Sequence, residues 1–180
     1  PKLTEAIIIS NRKRGQQDDS AHGIIHRALT AIRLKDMEEA MQNMTQLFNH
    51  GFVRRTLQTS HFPYRGVFPD LTGAVPAFLV EMSVFSMPGI VEFLPTMPDY
   101  LMQGSIDGVW LYTVAKLEHM EWNEHGAKAV LTSGKAQTLT LRCRRKGARI
   151  LVDGTELPMD GDAATYAFRE GETVQVEILF

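Results

Sequence analysis

The stretch VEFLPTMPDYLMQGSIDGVWLYT, residues 91–113, decides how this chain is read. Pro95 and Pro98 interrupt it, and Gly104 and Gly108 follow. Upstream, apolar residues recur at spacings of three and four, the period of a helix face. Downstream they recur at every second residue, the period of a half-buried strand. Reading outward from this hinge gives a helical region over 1–88 and a β domain over 89–180.

On the downstream side lie eight short runs rich in β-branched and aromatic residues: GIVEFLP, GVWLYT, KLEHMEW, AKAVLT, QTLTLRCR, ARILVDG, ATYAFRE and TVQVEILF. Gly, Pro, Asn and Asp signals separate them, the pattern of an antiparallel β-sandwich. Within 137–144, Leu139, Leu141 and Cys143 share one face, and Thr140, Arg142 and Arg144 share the other. Arg145, Lys146 and Gly147 then read as the turn of a solvated hairpin rather than a nucleic-acid patch.

Upstream, KLTEAIIISNRKR (2–14) ends on a basic turn, which suits a helix C-terminus, and Gly15 stops it. The next helix is offered Asp18, Asp19 or Ser20 as a cap. Its stripe is Ile25, Ala28, Leu29 and Ile32. A third helix carries Met37, Met41, Met44, Leu47 and Phe48, with Asp36 and Glu39 spaced as a capping box. A fourth is expected over 72–86, with Pro76 tolerable only near its first turn. These apolar faces are too many for so few helices to cover among themselves. They point to the last part of a larger helical body.

The bulk numbers narrow the function classes. Of 180 residues, 44% are apolar and 22% charged, with a formal net charge of −2, so no global field points to nucleic acid or an acidic membrane. The single cysteine excludes an internal disulfide and a cysteine-only zinc site. No apolar run reaches the roughly 18 residues that a membrane span needs. Nucleotide-binding glycine loops and the serine-hydrolase elbow are both missing.

Residues 51–70 form a long aromatic loop with Phe52, His61, Phe62, Tyr64 and Phe68. It delivers Asp70 to the start of the fourth helix. An aspartate there serves as a helix cap. His61, Tyr64 and Arg65 approach it, and aromatic rings and a guanidinium suit sugar faces and hydroxyls. His22 and His26 stand four apart on one helix face. No third metal ligand is fixed by spacing, so they read as surface or packed histidines, or as the wall of a pocket. No metal and no cofactor is expected.

Several of these stretches resemble the C-terminal region of glycoside hydrolase family 95, which contains inverting α-L-fucosidases and α-L-galactosidases. The matching hinge residues are Glu92, Leu94, Pro95, Pro98, Gly104, Ser105 and Gly108, followed by Glu121 and Trp122. Counting back without a gap sets Asp70 on the catalytic aspartate of the family's I-D-G-N-F-G-G motif. Gly73 then falls near its glycines, and Glu81 and Met82 fall on its A-E-M. Arg33 and Leu34 match an earlier helix. The chain departs from the motif at Leu71, where the family has Gly, and at Thr72, where it has Asn.

The resemblance implies a fold of the last helices of an (α/α)6 barrel followed by a C-terminal antiparallel β-sandwich. It implies glycoside hydrolysis, with Asp70 as the base-side carboxylate and Thr72, His61, Tyr64, Arg65, His22 and His26 near the sugar. The expected partners are an oligosaccharide or glycan and a missing N-terminal part of the same protein. An extracellular or periplasmic location follows from the resemblance alone. The family's general acid has no counterpart here, so the isolated chain is expected to be inactive. The competing expectation is a non-catalytic carbohydrate-binding or structural module derived from such an enzyme.

Overall fold

The computed structural model describes residues 2–14, 20–54 and 58–180. Among them, four α-helices precede ten strands: α1 (Lys2–Arg14), α2 (Ala21–Leu34), α3 (Met37–Asn49) and α4 (Pro69–Ser83), then β1 (Val84–Met87) onward. Contacts divide the chain into Pro1–Glu81 and Met82–Phe180. The candidate caps Asp18 and Asp19, and the stop at Gly15, lie outside the described residues.

In the helical unit, α2 starts at Ser20, whose hydroxyl accepts from the Gly23 N–H at 3.2 Å. It ends on Lys35 in the left-handed region, φ 63°, a C-cap position that glycine usually fills. The buried stripe of α2 is Ala21, Ile24, Ile25, Ala28, Ala31 and Ile32. It is wider than the expected one and half of it is alanine. Only Lys35 and Asp36 separate α2 from α3.

Asp36 caps α3, accepting from the Glu39 N–H at 3.5 Å. The reciprocal half of the capping box is not made. The Asp36 N–H donates to the Ala31 carbonyl, and the Glu39 carboxylate accepts from Asn43 Nδ2 at 2.8 Å. Glu39 thereby joins a buried polar group that crosses three helices. Arg27 Nε on α2 donates to Asn43 Oδ1 at 3.1 Å, and Asn11 Nδ2 on α1 donates to the Arg27 carbonyl at 3.1 Å. Asn11 is the buried residue of α1, whereas Leu3, Ile7 and Ile9 are exposed. On α3, Met44 and Leu47 are buried, and Met37 and Phe48 face solvent.

Helix α4 begins at Pro69, where the ring's fixed φ is pre-set for a first turn. Leu71, Phe78 and Met82 are its fully buried residues. Pro76 lies in the helix interior rather than the first turn that the sequence favours. It has no N–H to return to the Thr72 carbonyl one turn back. The helix also stops earlier than expected, since 84–87 is a strand.

The second unit holds two sheets. One has the order β1-β2-β6-β9, with β2 (Ile90–Phe93), β6 (Gln137–Arg142) and β9 (Ala163–Phe168). The other has the order β3-β4-β5-β10-β7-β8. Its members are β3 (Gly104–Leu111), β4 (Ala115–Asn123), β5 (Gly126–Ser133), β7 (Arg149–Val152), β8 (Thr155–Glu156) and β10 (Thr173–Leu179). All pairs are antiparallel except β2 with β6, whose long crossover runs through the other sheet. Alternate residues are buried as a pleated surface requires. Leu117, Met120, Leu131, Leu139, Leu141, Val176 and Ile178 are at 0% exposure.

The solvated hairpin expected over 141–149 is not formed. β6 and β7 belong to different sheets, and 143–148 carries the chain between them. The arginines in and beside it are engaged. Arg142 pairs with Asp162, Arg144 with Glu92 and Arg145 with Asp99 and the Met97 carbonyl. A charge run that looks solvated is fixing a crossover. Cys143 within it is fully buried, and burial pushes its thiol pKa up.

The hinge itself is buried from Val91 to Pro98. Leu94 adopts a left-handed φ of 49°, and its N–H donates to the Ser83 carbonyl at 2.8 Å. No helix among the described residues is long and apolar enough to cross a membrane.

Candidate functional site

The loop before α4 is folded back on the helical unit by backbone bonds. The Ala21 N–H, at the start of α2, donates to the His61 carbonyl at 2.8 Å. The Ser60 N–H donates to Phe52 O at 2.8 Å, and the Phe68 N–H to Thr59 O at 3.0 Å. These ties set His61 beside the first turn of α2, which carries His22 and His26.

Three of the histidine and aromatic candidates therefore meet. The His22 and His26 rings stack, with centroids 5.4 Å apart and planes within 4°. His61 meets His22 edge-on at 6.2 Å. Phe68 closes the group, 5.1 Å from His22 and 5.0 Å from His61, and Phe62 lies 4.5 Å from His61. The i, i+4 spacing makes the stack readable in the sequence. The arrival of His61 and Phe68 depends on the loop's backbone bonds, which leave no sequence signal. Among the described residues, no cluster of three or more His, Cys, Asp or Glu has metal-binding geometry.

Phe68 leads directly into Pro69 and Asp70. Asp70 is exposed and is the second residue of α4, inside the first turn rather than at the cap. Among the described residues its carboxylate has no hydrogen bond or ion pair, although the first turn of a helix favours an anion there. Most other carboxylates of this unit differ. Arg12 holds Asp36 at 2.6 and 2.8 Å and reaches Glu38 at 3.3 Å. Glu39 is bonded to Asn43. Glu81 receives both arms of Arg33, at 2.8 and 2.6 Å. Among the described carboxylates of the unit, Asp70 and Glu5 on α1 are left unengaged.

Thr72 is exposed, and its hydroxyl lies 3.2 Å from that of Thr59. Tyr64 and Arg65 form a tight turn with Phe62 and Pro63, in which the Arg65 N–H donates to Phe62 O at 2.9 Å. Tyr64 has φ 60°, a conformation a tyrosine adopts only at a cost. Its ring packs on Gly51, where a Cβ would fall 2.5 Å from a ring carbon. Tyr64 thus lines a second depression with Phe48, Arg54 and Gln58, and makes no ring contact with the histidine cluster.

Sequence reading missed two features. One is the buried Arg27–Asn43–Glu39 group, whose members look like surface residues of amphipathic helices. The other is Ser60, whose hydroxyl is fully buried and has no hydrogen-bond partner among the described residues. The motif residues of the resemblance serve the fold. Arg33 pairs with Glu81, Glu92 with Arg144, and Gly104 makes room for Trp122.

No protein-family model matches the chain, and no curated protein matches it significantly. Among solved structures it is similar to a GH127 β-L-arabinofuranosidase from Geobacillus stearothermophilus T6, at 12% identity and a TM-score of 0.44. That match covers 88% of this chain and 30% of the other. A second GH127 β-arabinofuranosidase matches at 12% identity and a TM-score of 0.43, over 89% of this chain and 31% of the other. The chain thus spans about a third of the length of these two structures. Both belong to a different glycoside hydrolase family from the one its motifs resemble, and neither likeness assigns an activity to it.

Proposed function

We propose that this chain is the C-terminal portion of a carbohydrate-active enzyme, an inverting glycosidase of the family-95 type. In it α1–α4 are the last helices of an (α/α)6 barrel, and the two sheets form an appended sandwich. The observation that carries the reading is the meeting of His22, His26, His61 and Phe68 immediately before a helix whose first turn holds the unengaged Asp70. Inverting cleavage needs a base that activates water on one face of the sugar and a separate acid on the leaving oxygen. Asp70 takes the base side, and the histidine and phenylalanine rings offer a surface for the sugar. The acid comes from a part of the protein beyond these residues. The exposed apolar residues of α1 are what a helix looks like when more of the helical body is to pack on it.

The test is Asp70→Asn in the full-length protein, measured on a panel of fucosides and galactosides. Loss of a general base lowers turnover by about 10²–10⁴-fold. Unchanged turnover removes Asp70 from the mechanism. A second reading, a non-catalytic carbohydrate-binding or structural module, is favoured by one observation. Thr72 stands where the family motif has an asparagine, and its hydroxyl is shared with Thr59. Under that reading the full-length protein binds glycans and hydrolyses none.

A further inference from the structure

The β unit carries a groove of about 560 Å³ at one end of its six-stranded sheet. Gln103, Gly104, Ser105, Trp122, Asn123 and His125 line it. The indole of Trp122 is held rigidly. Its Nε1–H donates to the Leu101 carbonyl at 3.1 Å, and its six-membered ring rests on Gly104, where a Cβ would lie 2.5 Å from Cζ2. Any side chain at 104 would displace the ring. The wall of the groove is thus a fixed aromatic surface, seated on a glycine.

Around that wall stand polar groups with unused hydrogen-bonding capacity. Asn123 is oriented because its Oδ1 accepts from the His125 backbone N–H at 2.8 Å. Its Nδ2 donors, the Gln103 amide and the Ser105 hydroxyl make no hydrogen bond among the described residues. The charges at the groove balance, since Glu121 and Lys128 are direct cross-strand partners. A phosphate or carboxylate ligand would meet one cation and one anion side by side. A neutral ligand with an apolar face and many hydroxyls matches the chemistry better.

We propose that this groove is a sugar-binding subsite that takes one or two neutral pyranose or furanose rings stacked on Trp122. It rests on the β unit alone and holds whether or not Asp70 activates water. With one aromatic platform and a few neutral hydrogen bonds, the affinity is on the order of millimolar.

The chain has two tryptophans, so a Trp110→Phe background makes Trp122 the sole indole reporter. Its fluorescence is titrated with methyl glycosides of fucose, galactose, arabinose and xylose, and with inorganic phosphate and glucuronate as anionic probes. The expected result is a saturable change with at least one neutral glycoside. Gln103→Ala, a surface truncation that leaves the fold intact, weakens it roughly fivefold, the loss of one neutral hydrogen bond. Gly104→Ala, which moves the ring, weakens it further. Three results overturn the proposal. One is no response to any neutral glycoside up to about 50 mM, well above the affinity expected of one stacked ring. The second is unchanged affinity in Gln103→Ala. The third is preferential binding of phosphate or glucuronate.

Discussion

The two units solve the problem of making a core in opposite ways. In Met82–Phe180, sheet pairing commits the backbone polar groups, and the interior is mostly Leu, Ile, Val, Met, Phe and Ala, with a few serines and threonines and one buried charge, Glu92, paired with Arg144. In Pro1–Glu81, the helices are short, the buried stripe of α2 is half alanine, and an arginine, a glutamate and two asparagines lie inside. Apolar residues that a helical core normally takes in (Leu3, Ile7, Phe48) stay on the surface. The difference teaches that chain length does not make a core. The β unit builds its interior from alternating strand residues around one paired charge, whereas the helical unit gives more of its buried volume to charged and amide groups that must be satisfied.

The sharpest test of that contrast is a large truncation in the β unit. Phe93 is fully buried on β2. Phe93→Ala should cost about 3–5 kcal/mol, through lost burial plus the cavity left behind. Urea unfolding followed by tryptophan fluorescence reads it, because both tryptophans, Trp110 and Trp122, lie in this unit. A cost below about 1 kcal/mol would mean that the β interior collapses as freely as a loose helical one.

The matching experiment in the helical unit is Asn43→Leu. It keeps the side-chain volume and strips Arg27 and Glu39 of a shared partner. Taking a hydrogen-bond partner away from buried polar groups costs about 1–3 kcal/mol, more when they are charged. Far-UV circular dichroism at 222 nm should show the helical transition moving to lower urea. If the variant is as stable as the parent, the polar group is not what holds α1, α2 and α3 together, and the comparison fails.

The sequence disclosed the β unit better than the helical one, for physical reasons. Period-two alternation is a local signal, and all eight runs became strands. Val84–Met87 was hidden because its apolar residues continue the pattern of α4, and Thr155–Glu156 is too short to alternate. Sheet membership was hidden as well. Nothing local says that 137–142 and 149–152 belong to different sheets, since pairing is decided by distant strands. In the helical unit, Arg27 and Asn43 read as solvent-facing because burial of a polar residue depends on partners from other helices. The candidate site was legible in its residue types and in the His22–His26 spacing. The loop's return to α2, Tyr64's left-handed backbone and Asp70's place within the first turn depended on backbone hydrogen bonds that no side-chain pattern encodes.

The smallest expected effect separates charge from cap at Asp36. The Arg12 guanidinium, bonded to both carboxylate oxygens, holds the Asp36 carboxyl below the usual carboxylate range, and the Glu39 N–H adds to the shift. A depressed folded value means that the stabilisation is fully present above the unfolded value, about 3.9. It is lost as pH falls through the folded value. Arg12 stays protonated throughout and is half exposed, so salt screens part of the pair. The β unit has an acid dependence of its own. Lys116 holds Glu118 low, and the Arg169 backbone N–H and side chain hold Glu172 low. A whole-protein pH scan would therefore blend three carboxylates. Asp36→Asn isolates one, because asparagine caps a helix about as well as aspartate but carries no charge. The 222 nm urea midpoint of the parent should decline as pH falls below the ordinary aspartate value of about 3.9. In Asp36→Asn it should start lower at pH 7 and decline less. Parallel pH profiles for the two would mean that the Arg12 pair adds nothing to α3 beyond the cap. The helical unit would then owe its coherence to its buried apolar residues and the Arg27–Asn43–Glu39 group.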